Sequence, residues 1–191
     1  MLPQQCDDIA ETMQQSLRKE KQLNRKMLII IIRSIKYLAR QGLALRGHLS
    51  DEGNFIQLLK LQGETDAELR AWLLKKQEKY ISGDIQNEIL CLMAHSILRK
   101  IAKSVHENTH CALMADELSD LSNREQFVVC LRWVDVKTFD VSEDLIGFYQ
   151  VDDITAATLR SILKDILLRL NLSIQNCRSL CFDGVSNMMG A

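Results

Sequence analysis

The sequence predicts an α/β fold, α+β overall, in which a helical N-terminal region precedes a sheet laid out β-β-β-α-β. Three observations carry that expectation. Before His110 the apolar residues recur at helical spacing, and after it they fall into short β-branched and aromatic blocks. One helical stripe, Leu159 to Leu170, interrupts those blocks. The chain has a single proline, Pro3, with 47% hydrophobic and 26% charged residues, a folded rather than a disordered profile.

The elements follow in order. From Leu28, the positions Ile31, Ile32, Ile35, Leu38 and Ala39 mark one helix face, and Ile29 and Ile30 widen it, which predicts burial on two sides. Gly42 is a plausible stop. Turn formers fill Arg46 to Asn54. Two short helices are expected around Phe55, Leu58 and Leu59, and around Leu69, Trp72 and Leu73. Ser82-Gly83-Asp84 then opens a long helix carrying Ile85, Ile89, Leu92, Met93, Ile97 and Ile101. Residues 111–115 read as a strand, Asp120 to Glu125 as a turn, Phe127 to Val134 as a second strand and Val141 to Tyr149 as a third. Asp152 or Asp153 is the expected cap of the Leu159–Leu170 helix, Asn171 its end, and Arg178 to Phe182 the last strand.

At 191 residues the chain can bury a sizeable core. The pattern divides it into a helical region, 1–108, and a sheet region, 109–191. Net charge is −1, so no global basic field marks nucleic acid as a ligand. Locally the balance shifts. Arg18, Lys19, Lys21, Arg25, Lys26, Arg33, Lys36, Arg40 and Arg46 make the front basic, and acids dominate from 107 to 153. A basic front could meet phosphate and an acidic back could hold a cation; two solvated surfaces explain the pattern equally well.

The six cysteines are scattered, without a CxxC pair, as small core residues in a reducing compartment would be. His106 and His110 are spaced i, i+4 but lack the acid that a metalloprotease helix places between them. His48 and His95 have no identifiable partner, and a hydrogen-bonded structural role is expected. Trp72 and Trp133 are expected to pack rather than to stack bases. Met27 to Ile32 is too short to span a bilayer and no secretory signal is visible, so an intracellular location is expected.

Asp116 ends the apolar run Cys111 to Ala115, and Asp183 ends Leu180-Cys181-Phe182. A helix between the third and fourth strands must return the fourth in parallel with a neighbour. If strands one and four pair, the two carboxylates lie side by side and could share Mg²⁺ or Mn²⁺, as in two-metal phosphoryl-transfer sites. The alternative is that each is a strand-end turn residue, which Asp183-Gly184 suits especially well.

Residues 24–191 resemble the transposase-derived region of the hAT superfamily, in the branch of zinc finger MYM-type protein 1-like and 52 kDa repressor of the inhibitor of the protein kinase-like proteins. The phrases that carry this are Tyr37 to His48, Gly53-Asn54-Phe55 with Leu58-Leu59, Gln86-Asn87-Glu88 with Met93-Ala94-His95, Asp116-Glu117 with Asp120, Ser122-Asn123 and Glu125-Gln126, Cys130 to Asp135, and Asp183-Gly184 with Ser186-Asn187-Met188. The resemblance implies an RNase H-like fold with Asp116 and Asp183 as the first two members of a DDE triad. It also implies Mg²⁺ or Mn²⁺ as the cofactor of an intact relative, an upstream DNA-reading zinc finger and a catalytic Glu far downstream. Leu118, Leu121, Val185 and Met189 depart from the residues usual in such sequences.

The chain ends at Ala191, before such a Glu. The expectation is therefore a truncated, catalytically inactive fragment of a domesticated or degenerate transposase, nuclear, with vestigial Asp116 and Asp183 and no stably bound cation. A protein-interaction or regulatory module and a nonspecific DNA-binding fragment are the alternatives. DNA, a protein partner or a second copy are the expected partners, and neither a membrane nor a small-molecule substrate is.

Overall fold

The structure is a computed structural model that describes residues 9–47, 53–75, 80–119, 125–151 and 155–182. The element order is α1 (Ile9–Arg40), α2 (Asn54–Thr65), α3 (Ala67–Leu74), α4 (Gly83–Asn108), β1 (Cys111–Ser119), β2 (Glu125–Val134), β3 (Val141–Gln150), α5 (Ala156–Arg169) and β4 (Cys177–Phe182). This is the expected α+β arrangement, helices first and then a four-stranded mixed sheet. The chain forms two compact units, Met1–Met93 and Ala94–Ala191, with α4 contributing its first turns to one and the remainder to the other.

The first unit packs α1, α2, α3 and the start of α4 around Met27, Ile31, Ile35, Phe55, Leu59 and Leu69, each fully buried. One expectation for α1, burial on two sides, is corrected. The helix is buried on one stripe only, Met27, Ile31, Ser34, Ile35 and Leu38, while Ile29 and Ile32 are exposed. It begins at Ile9, well before the apolar run, because alanine, glutamine, lysine, arginine and glutamate propagate a helix without packing. Its end is as expected. Gly42 takes φ 66°, Leu43 N–H donates to Leu38 O (3.0 Å) and Gly42 N–H to Ala39 O (3.2 Å), a Schellman motif.

Three of the sequence phrases meet in this unit. Asn54 Nδ2 donates to Ala44 O at 2.8 Å, and Phe55 N–H donates to Leu45 O at 3.1 Å. Gly53 is buried against the same segment; a Cβ there would lie 2.9 Å from Leu45 O and 3.0 Å from Gly47 N. Arg46 in turn donates to Asn87 Oδ1 on α4. The start of α3 is fixed by Asp66, whose carboxylate accepts from Leu69 N–H (3.0 Å) and pairs with Lys26 (3.3 Å). The Leu69 N–H first, and Lys26 after it, hold the Asp66 carboxyl below its ordinary value.

The second unit is the sheet with α5 and the rest of α4. Strand order is β3-β2-β1-β4, antiparallel except for the parallel β1–β4 pair. Cys111, Leu113 and Ala115 of β1, and Phe127, Val129 and Leu131 of β2, face the core by strand alternation. There they meet Leu159, Leu163, Ile166 and Leu167 of α5 with Ile101 and Val105 of α4. In β3 the register slips opposite Val129/Cys130, and the extra residue, Ile146, is buried in that core.

Other details also differ from expectation. β1 continues to Ser119, and Glu125 belongs to β2; the rest of the expected 120–125 turn lies outside the described residues. Asp152 and Asp153 lie outside them too, and the N-cap of α5 is Thr155, whose hydroxyl accepts from Thr158 N–H at 3.4 Å. Leu92 and Ile97 of α4, expected in its apolar face, are exposed, and Gln86 is buried instead with its Nε2 donating to Ile81 O at 2.8 Å. Asn171 closes α5 at φ 54°, with Leu172 N–H donating to Leu167 O (2.8 Å) and Asn171 N–H to Leu168 O (3.0 Å), a second Schellman motif.

The Gly53 contact generates a prediction. Its φ of −62° suits any residue, so only the close approach requires glycine. Gly53→Ala should therefore cost about 1–3 kcal/mol, the usual range for overpacking against backbone that cannot move freely. Chemical denaturation monitored by circular dichroism should show it, while Gly42→Asn, which keeps a residue tolerant of positive φ, should lose much less.

Candidate functional site

Asp116 lies near the end of β1, and strand alternation puts it on the sheet face opposite Cys111, Leu113 and Ala115. Its side chain is exposed, and its cross-strand neighbour in β2 is Val128. On its other side β1 runs parallel to β4, with Leu113 opposite Leu180, Met114 opposite Cys181 and Ala115 opposite Phe182. Ala115 and Phe182 are the residues that precede Asp116 and Asp183 in sequence. Asp183 itself lies outside the described residues. Among the described residues no three His, Cys, Asp or Glu side chains are grouped to hold a metal ion.

The rest of the open face around Asp116 is largely apolar. Leu118, Leu145 and Phe148 are 46%, 50% and 57% exposed, which leaves this side of the sheet without a hydrophobic cover. Over residues 1–191 the sequence matches the model of the DUF4371 family, described as ZMYM1/FAM200, RNase-like domain. The chain belongs to this family. The helical region and the mixed sheet with its β1–β4 parallel pair are the fold of this RNase-like domain chain.

Other candidate residues of the family member take structural places. His110 Nε2 lies 3.1 Å from the Arg178 guanidinium, within hydrogen-bond distance. His106 lines a different cavity, so the i, i+4 pair does not converge. His95 is exposed on α4, and His48 lies outside the described residues. Trp72 is buried in the first unit. Trp133 is half-buried and donates from Nε1 to Asp144 Oδ2 at 2.8 Å, which satisfies its polar edge and makes it a packing residue. Asp135 organises the β2–β3 hairpin, accepting from Lys137 N–H (2.8 Å) and Thr138 N–H (3.1 Å); these two donors hold its carboxyl below the ordinary value. No helix among the described residues is long and apolar enough to cross a membrane.

Sequence reasoning gave no weight to one juxtaposition, Cys111 opposite Cys177 at the start of the parallel pair. Strand pairing alone could have found it, since both cysteines open their strands. Burial first, and the neighbouring Cys177 after it, push the Cys111 thiol up to about 11. Both remain free thiols, as do the exposed Cys91 and Cys181.

Reactivity should follow burial. Iodoacetamide at pH 8 should label Cys91 and Cys181 in the native protein and spare Cys111 until denaturant is added, as read by peptide mass spectrometry. A thiol held above its ordinary 9.0 stabilises the fold below that pH, and this contribution fades as pH rises towards about 11. Cys111→Val should accordingly flatten the fall of melting temperature across that alkaline window.

Proposed function

We propose that this chain is an RNase H-like core descended from a hAT-type DNA transposase, in which Asp116 and Asp183 form a vestigial divalent-cation pair. What supports the reading is the parallel β1–β4 register, which is still in step at Ala115 opposite Phe182, one residue before each aspartate. In that arrangement the pair would hold Mg²⁺ or Mn²⁺, which in a complete site orients the attacking oxygen and offsets charge on the phosphodiester. Two carboxylates alone bind such a cation weakly, and the protein is proposed to act without strand transfer, in the nucleus. Membership of the RNase-like family agrees with this reading.

The test is a Mn²⁺ titration of the isotopically labelled chain. Paramagnetic broadening should appear first at Ala115–Glu117 and at Phe182–Gly184, and Asp116→Asn should abolish it at both places. Broadening elsewhere, or unchanged in the variant, would refute the pair. Metal-dependent DNA cleavage that disappears in Asp116→Ala would refute the inactivity.

A second reading, nucleic-acid binding by α1, has its own observation. Residues 13–22 of α1 are all exposed, so roughly 15 Å of helix stands clear of the first core with Arg18, Lys19 and Lys21 on it. Such an arm can follow a phosphate backbone without reading sequence. Binding to a 20-base-pair duplex should weaken steeply with salt. Replacing Arg18 and Lys21 by alanine should flatten the log–log slope by about 0.9 for each phosphate no longer neutralised. A slope unchanged in the variant would exclude α1 as the DNA-binding element.

A further inference from the structure

A cavity of about 880 Å³ lies in the second unit between α4, β3 and α5, away from Asp116. Its rim and its floor differ in kind. The rim carries His95, Arg99, Lys103 and His106 of α4, with Arg169 of α5. These α4 positions advance three to four residues at a time, so they share one side of the helix over roughly 16 Å. The floor is aliphatic, formed by Leu98, Ile146 and Ile166.

The rim's charge is available to a partner. Lys103 reaches Glu107 at 3.7 Å and Arg169 reaches Asp165 at 2.6 Å, both exposed i, i+4 pairs of the kind that contributes little and exchanges readily. Arg99 has no hydrogen-bond or ion-pair partner among the described residues. Glu107 is the one acid that lines the cavity, against three permanent cations and two histidines.

From these features we infer that the cavity is a docking groove for an acidic amphipathic helix of a protein partner. Three helical turns span about 16 Å, which matches the length of the basic rim. Apolar residues of such a helix at i, i+3, i+4 and i+7 fill the floor, and carboxylates beside them meet Arg99 and Lys103. A nucleic-acid strand would satisfy the cations but leave the aliphatic floor of Leu98, Ile146 and Ile166 unused, because bases stack on flat rings rather than on branched aliphatic side chains.

The experiment uses the full chain and a labelled 16-residue helical peptide with leucines on one face and glutamates flanking them. A matched peptide has lysine at every glutamate. Fluorescence anisotropy should show the glutamate peptide binding at least about tenfold tighter than the lysine peptide. Arg99→Glu with Lys103→Glu, both exposed and expected to leave melting unchanged, should reverse that preference. Leu98→Ala should weaken both peptides, and amide shifts should map to α4 and α5. Binding of neither peptide, equal binding of both, or a preference unmoved by the double variant overturns the proposal. So does competition by a 20-nucleotide single strand, or a concentration-dependent dimer abolished by the same variant, which would make the groove a surface for nucleic acid or for a second copy.

Discussion

The parallel pairing of β1 with β4 is the constraint on which the second unit depends. β1 is the only described strand bonded to two partners of opposite sense, β2 antiparallel and β4 parallel. A hairpin cannot make a parallel neighbour, so the chain must leave the sheet and cross back. α5 is that crossing, and its buried stripe of Leu159, Leu163, Ile166 and Leu167 lies on the core that β1 and β2 present. The Schellman turn at Asn171 stops α5 where the chain must reverse and puts Leu172 into the same core. The register shift at Cys111/Ala112 then sets which residues stand level at the far end, where Ala115 faces Phe182. Each step is a packing requirement, and together they bring Ala115 level with Phe182.

In the first unit the corresponding role belongs to a tight backbone approach rather than to a sheet. The segment Ala44–Gly47 is held from two sides, by Gly53, Asn54 and Phe55 and by Asn87. Phrases separated in the sequence by dozens of residues thus form one structural node. Their restricted composition follows from sterics and hydrogen bonding: a residue without Cβ, an amide donor to Ala44 O, and a ring that is fully buried. None of these interactions needs a ligand to explain it.

The class of each α-helix and strand was legible in the sequence, and so was the order of the sheet region, because period-3.6 stripes and β-branched blocks record what each segment buries; the 3-10 turn Ile174–Asn176 was not. Helix ends with a special backbone requirement, Gly42 and Asn171, were legible for the same reason. What was not legible has physical causes. Residues 13–22 of α1 are all exposed and so leave no buried apolar stripe. The face of α4 changes phase near Met93, where the buried stripe steps from Ile89 and Met93 to Leu98, Ile101 and Val105; a constant period therefore points to Leu92 and Ile97, which are exposed. A cap such as Thr155 competes with two nearby aspartates that propensity ranks higher. At the candidate site the residue types and the strand ends can be read from the sequence, whereas the parallel register that relates them comes only from the fold.

The two faces of the sheet bear on how strongly that site can act. One face is covered by α4 and α5, and the other carries Asp116 among exposed Leu118, Leu145 and Phe148. Charges that face water act on one another only through a high effective dielectric, so their interactions are weak. The same solvent weakens the attraction for a cation, since catalytic metal sites draw their strength from excluded water as well as from ligand number. Covering the apolar surroundings would change both effects in one direction. It would raise the repulsion between two carboxylates and with it the affinity for a divalent ion that relieves it. For the proposed cation pair, covering Leu118 and Phe148 would then be coupled to cation affinity.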